Sequence, residues 1–292
     1  MDMVQGKKIM AFNNIMQLAT AELTRRGCFP QGATVVEWGN QRFRWNPKNR
    51  SANTEWLSKL SDISGKALRD PIDKVWDYFT DLGFSDYLAI DVNTELRAIA
   101  MDLNFILKDK YNYTTEFDYV TNNGTGEHIF DQRTVFENMH NLCKPGGIMI
   151  NVLPFAPWFN HCFYSYHPGL FRDIAAANGY EWQFMWLAQN SGNYEDVPTD
   201  MDSWGYFEQK KPRLPISKLE EVYDKLHQRD SGKAHNVSVV AAYRKVHDKP
   251  FVIPMQGRYV NDVIDELKTE YSDTNVDVRQ ENHSSAGYGK QY

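Results

Sequence analysis

Leu142-Cys143-Lys144-Pro145-Gly146-Gly147-Ile148-Met149-Ile150-Asn151-Val152-Leu153 is the stretch on which the fold turns. Proline and paired glycines end whatever helix precedes them. The apolar run Ile148–Leu153 that follows at once reads as a strand buried on both faces. Immediately upstream, residues 127–142 fit a helix, and before it Phe117–Thr121 is a second buried strand. Between that strand and the helix lies the polar, glycine-bearing loop Asn122-Asn123-Gly124-Thr125-Gly126. Strand, loop, helix, turn and strand make one parallel crossover unit.

The same alternation extends outward. Apolar runs at Ala33–Glu37, Tyr87–Asp91, Ala98–Met101, Glu181–Ala188 and Val237–Val246 read as further strands. In residues 8–26, Ile9, Phe12, Ile15, Met16, Ala19 and Leu23 recur at helical spacing, and Gly27 follows as a stop. Ile72, Val75, Trp76, Phe79 and Leu82 share a face of another helix, with Asp70 as N-cap, Pro71 as first helical residue and Gly83 as the left-handed stop. A third helix fits Pro168–Asn178, closed by Gly179. The pattern predicts an α/β fold around a mostly parallel sheet. An N-terminal helical extension is expected over 1–30 and the α/β domain over 31–250, with insertions at 40–69 and 190–235. The second insertion carries one helical stretch, Ser217–Gln228. Residues 251–292 form a C-terminal extension and flexible tail.

Composition excludes several classes. With 42% apolar and 14% aromatic residues, the 292-residue chain can bury a large core. Its 24% charged residues and net charge of −6 set it apart from disordered polyelectrolytes and do not favour nucleic acid as a partner. No apolar run is long enough to span a membrane. Met1–Met10 has no apolar segment after its two lysines, so no secretory signal is expected and a cytoplasmic location is. Cys28, Cys143 and Cys162 are too scattered for a disulfide framework or zinc knuckle, and no metal site is expected.

In open α/β sheets, ligands bind beyond the carboxyl ends of the strands, where strand order reverses. The first central strand ends in Glu37-Trp38-Gly39-Asn40-Gln41, an acid followed by a glycine where the chain must turn tightly. Glycine lets a backbone approach a nucleotide-like ligand closely. The next strand ends in Asp91, whose carboxylate could accept both hydroxyl hydrogens of a ribose. Gly39 as a plain turn residue and Asp91 as a helix cap remain the alternative.

Taken together, the acidic strand end with its glycine turn, the acid closing the second strand, Asp102-Leu103 after the third and Lys144-Pro145-Gly146-Gly147 before the fifth resemble the class I S-adenosylmethionine-dependent methyltransferases. The resemblance covers roughly residues 30–190, with Val237–Val246 as a final strand. The run Asn122 to Gln132 is similar to that of a subgroup with a Gly-Thr-x-Glu-His segment after the fourth strand, here Gly124 to His128. The resemblance implies a Rossmann-like, seven-stranded, mostly parallel sheet with helices on both faces, and S-adenosylmethionine as cofactor. It implies that Glu37 lies near the ribose or amino-acid end of the cofactor, with Gly39 and the turn through Gln41 close to it. Asp91 would hold the ribose hydroxyls, Asp102 and Leu103 would border the adenine, and Asn122 would lie below the methionine moiety. Two departures stand out. Gln41 replaces the second glycine of the first motif, and only half a dozen residues link Asp91 to the next apolar run, where a parallel crossover usually needs about a dozen.

Methyl transfer requires an aligned nucleophile and often removal of its proton. Glu127, His128 and His161 are the candidate bases. His128 as a turn-bracing residue and His161 as a half-buried ring in an aromatic loop are the alternatives, and His167 before Pro168 reads as a cap. Arg42, Arg44, Lys48 and Arg50, interleaved with Phe43 and Trp45, could bind an anionic group or form a solvated loop. Phe155, Trp158, Phe159, Phe163, Tyr164 and Tyr166 could roof a pocket or pack the core. The expected activity is methylation of an O or N atom of a small-molecule or saccharide-like substrate. The rivals are a non-catalytic module with a decayed cofactor site and an NAD-dependent oxidoreductase. The Gly-x-Gly-x-x-Gly fingerprint of the latter is missing after the first strand.

Overall fold

The computed structural model describes residues 10–44, 50–158, 160–189 and 236–257, with a few isolated positions towards both ends. The insertion expected at 190–235, its helical stretch, Trp45, Lys48, Phe159 and most of the tail beyond 257 lie outside the described residues.

From residue 10 onward the chain forms strand β1 (Met10–Phe12) and helix α1 (Asn14–Arg25), then β2 (Thr34–Trp38) and β3 (Gln41–Phe43). Helices α2 (Arg50–Ser64) and α3 (Val75–Leu82) lead into β4 (Asp86–Asp91) and β5 (Ala98–Ala100). A short helix α4 (Leu107–Tyr111) precedes β6 (Phe117–Asn123), which a 3-10 turn at Gly126–His128 connects to α5 (Gln132–Leu142). Then come β7 (Cys143–Ala156), α6 (Pro168–Ala177), β8 (Glu181–Gln189) and β9 (Val237–Arg244).

Seven strands form the main sheet in the order β8-β9-β7-β6-β2-β4-β5. Only β9 runs against its neighbours. From the centre, the crossover through α3 moves one way, to β4, and that through α5 moves the other, to β7. Because such crossovers are right-handed, the two helices cover opposite faces. This is the Rossmann-like class I methyltransferase fold, and its topological switch point lies between β2 and β6.

Aromatic rings fill the layer under α1 and α3. Phe79 packs within 5.2–5.7 Å, centroid to centroid, of Phe12, Phe84 and Tyr87. Tyr119, fully buried on β6, meets the Thr20 hydroxyl of α1 at 3.0 Å. Tyr119→Phe should therefore cost about 1–2 kcal/mol, read as a lower urea midpoint with an unchanged slope.

Several element boundaries differ from the sequence expectation, for local reasons. Residues 10–12 pair with β3 as a strand, and Asn13 then caps α1 by accepting from Met16 N–H. The helix expected from Asp70 starts at Val75 instead. Asp70 is drawn to the Thr54 hydroxyl of α2 (2.7 Å), and Ile72 is buried in the core ahead of the helix. The helix expected over 127–142 divides because Asp131 caps a fresh start, accepting from Thr134 N–H. Gly83 does end α3 in the left-handed conformation, at φ 100°. His167 caps α6 by accepting from Gly169 N–H.

The short link after Asp91 is possible because β5 pairs only with the last three residues of β4, Ala89 to Asp91. The chain need not travel back along the strand, so no crossover helix forms. Leu96 and Arg97, at φ 51° and 64°, make the reversal.

Candidate functional site

The ends of β2, β4 and β6 are knitted together by short polar side chains. Gly39 turns the chain out of β2 at φ 73°, its N–H donating to Ile90 O at 2.8 Å. A Cβ there would meet Thr125 Oγ1 at 2.5 Å, so the turn accepts only glycine beside the β6 loop. Thr125 Oγ1 in turn donates to Trp38 O at 2.6 Å. Asn40 N–H donates to Asp91 Oδ2 and Asn93 Nδ2 to Asp91 Oδ1, both at 2.8 Å. Each Asp91 oxygen thus keeps a lone pair for a further donor.

The other first-motif positions point inward. Gln41 is buried and exchanges two hydrogen bonds with Asn123: its Nε2 donates to Asn123 O, and its Oε1 accepts from Asn123 Nδ2, both at 2.7 Å. Glu37 is fully enclosed. Its Oε2 accepts from the Tyr87 hydroxyl at 2.6 Å, while its Oε1 has no hydrogen-bond partner among the described residues. Burial pushes the Glu37 carboxyl up to about 8, against the opposing pull of the Tyr87 hydrogen bond. Thr121, in register beside it on β6, is buried, and its hydroxyl likewise has no partner among the described residues.

Asn122 is also enclosed, and it braces the loop. Its Oδ1 accepts from Gly126 N–H at 2.9 Å, and its Nδ2 donates to Asn151 Oδ1 at 3.0 Å. Asp102, after β5, accepts from Asn104 N–H and Nδ2, whereas Leu103 is buried and its carbonyl accepts from Thr134 Oγ1.

Beyond β6 the three candidate bases come together. Glu127 is 1% exposed, and its Oε1 lies 3.9 Å from His128 Nε2 and 3.7 Å from His161 Nε2. The two rings are 5.2 Å apart, and Trp158 lies 4.7 Å from His161. The backbone explains the meeting of residues so distant in sequence. Phe163 N–H and Tyr164 N–H both donate to Glu127 O (3.1 and 3.3 Å), stapling the aromatic loop to the 3-10 turn. Gln132 Nε2 donates to Gly126 O and Ile129 O, and Tyr166 OH donates to Gln132 Oε1 at 2.7 Å. Gly126 is needed here because a Cβ would sit 2.7 Å from Asn122 Nδ2. Phe130 and Phe163, 73% and 69% exposed, meet edge to face.

Asn123, Thr125 and Gln132 lie in the run already quoted, but neither they nor Asn93 receive a role of their own from the sequence, because short polar residues in loops are common. What distinguishes these four is that each bridges two strand ends or two loops.

No protein-family model matches the chain, and no curated protein does. Solved structures are similar in fold. A candidate methyltransferase from Bacillus halodurans C-125 aligns with TM-score 0.42 and 10% identity over 79% of this chain and 99% of its own. A SAM-dependent methyltransferase from Thiobacillus denitrificans in complex with S-adenosylhomocysteine gives 0.35 and 13% over 78% and 90%. The 1,6-didemethyltoxoflavin-N1-methyltransferase of Burkholderia thailandensis gives 0.32 and 14% over 79% of each chain. The fold assignment rests on strand order and direction, not on these likenesses.

Proposed function

We propose that the chain is an S-adenosylmethionine-dependent methyltransferase acting on an O or N atom of a small-molecule or saccharide-like substrate. One juxtaposition carries this reading: a half-exposed acid at the end of β4 and a paired-imidazole cluster at the end of β6 flank the same switch point.

The residues of the crevice fit a nucleoside. Asp91 has one acceptor site left on each oxygen, the number a vicinal diol needs, and Gly39 lets the backbone come close. Asp102, with Leu103 behind it, borders the same side of the sheet. Glu37, Gln41 and Asn122 support this surface from within and set the positions of the turns that form it. When bound, S-adenosylmethionine supplies an electrophilic methyl group. The chain's own residues must orient the nucleophile and take its proton. His128, 36% exposed, offers an accessible ring nitrogen, and the Glu127 carboxylate lies behind both imidazoles to fix their orientation and balance the charge gained. The exposed Phe130–Phe163 pair gives an apolar platform on which a sugar face or a flat ring can rest.

Calorimetric titration of the chain with S-adenosylmethionine, S-adenosylhomocysteine and NADH tests the reading. Micromolar binding of the first two and none of the third is expected. Asp91→Ala should weaken that binding about tenfold or more, as expected for losing hydrogen bonds to a charged acceptor, with the thermal midpoint as a control for folding. Unchanged affinity in that variant removes the ribose assignment.

The Gln41–Asn123 amide pair favours a second reading, a binding module whose cofactor site has closed. Failure to bind either adenosyl compound selects it.

A further inference from the structure

We propose that Glu127, His128 and His161 form a binding site for one divalent cation of borderline softness, of the zinc type. One donor atom from each of the three lies within 4.8 Å of the other two, a spacing that can hold a metal ion. Two imidazoles and one carboxylate are the donor set such ions take, and harder cations prefer oxygen alone.

The distances are nearly those of a formed site. Ligand atoms about 2.1 Å from a tetrahedral ion stand about 3.4 Å from one another. The carboxylate-to-imidazole separations are 3.9 and 3.7 Å, so these two edges close by about half an ångström or less, and the imidazole-to-imidazole edge lies within 4.8 Å.

A second observation points to a ligand here. Glu127 is 1% exposed, and its Oε2 has no hydrogen-bond partner among the described residues. A buried carboxylate oxygen left unsatisfied is costly, and a cation chelated by both carboxylate oxygens satisfies it. The supporting shell is already built: the staples from Phe163 and Tyr164 N–H to Glu127 O, and the Gln132–Tyr166 brace, fix both halves of the site before any ion arrives.

Three protein ligands leave at least one position open, and the partly exposed imidazoles place it towards solvent. That position would take water or an oxygen of the substrate, a hydroxyl or carboxylate, and an ion there would make a bound hydroxyl more acidic. With the ion bound, His128 is a ligand and no longer the proton acceptor, and the use of the ion in methyl transfer rests on the reading above. Its binding does not.

The test uses the full chain without an affinity tag, stripped with EDTA and titrated with Zn²⁺ by calorimetry and with Co²⁺ by visible absorption. One equivalent is expected to bind with Kd of about 1 µM or tighter, with the d–d spectrum of a low-coordinate Co²⁺ site. His128→Ala and His161→Ala should each weaken binding at least about tenfold. Glu127→Gln, which keeps the shape of the buried side chain, should do the same. Circular dichroism and thermal midpoints in EDTA confirm folding, and His247→Ala serves as an unaffected control. Absence of saturable binding overturns the proposal. So does unchanged affinity in both histidine variants, or equal competition by Mg²⁺. S-adenosylmethionine binding, measured separately with and without EDTA, shows which of the two readings fails if only one does.

Discussion

In EDTA, His128→Ala should leave cofactor binding within error of the parent while turnover falls about 10²- to 10⁴-fold, the usual contribution of a positioned proton acceptor. His128 is the more exposed imidazole of the cluster, and it lies on a turn held by other residues. Asn122, Gln132 and the loop staple fix that turn without using its side chain. Removing the ring takes away its contacts with Glu127 and His161 and leaves those hydrogen bonds in place. The crevice beside Asp91 lies across the β2–β6 switch point and loses no contact. Single-turnover rates with parent and variant, beside calorimetric affinities for S-adenosylmethionine, separate the two effects. Normal turnover would strike His128 from the mechanism, and a loss of affinity parallel to the loss of rate would make it a binding residue instead.

Glu37→Gln should stabilise the protein, and increasingly so as pH rises. Burial holds the Glu37 carboxyl at about 8 in the fold against an ordinary 4.5. Below pH 4.5 both folded and unfolded chains carry the proton, and the residue has no effect on stability. Between 4.5 and 8 the unfolded chain ionises while the native state keeps its proton. Stability is therefore lost progressively across that window and stays level above it. At 1.36 kcal/mol per unit, the loss at pH 7 is about 3 kcal/mol. Glutamine keeps an acceptor for the Tyr87 hydroxyl and places a donor where the unpartnered Oε1 stands, without an ionisation to suppress. Urea unfolding of the two proteins should coincide near pH 4 and diverge by about 3 kcal/mol at pH 7. Parallel curves over that range would show that Glu37 ionises normally inside the fold.

Near the site, a residue's type was readable in the sequence and its orientation was not. Glu37 and Asp91 are both acids at strand ends. Parity along the strand and one residue of depth decide that the first is sealed under α1 and α3 while the second stays half-exposed. Gln41 breaks the glycine pattern visibly, but only the arrival of Asn123 from another strand shows that its amide is fully used. The 70–83 segment has every local signal for a helix starting at Asp70. A hydroxyl from α2 captures that cap, a long-range competitor that no local pattern contains.

What the sequence determined by itself is the alternation of strands and helices, and with it the parallel sheet. Those follow from hydrophobic period and from the φ preferences of glycine and proline, which act over a few residues. The tertiary structure alone decided that His161, more than thirty residues beyond Glu127, comes to rest 3.7 Å from its carboxylate. That meeting depends on two backbone hydrogen bonds between loops, and hydrogen bonds between loops leave no periodic trace in the chain that makes them.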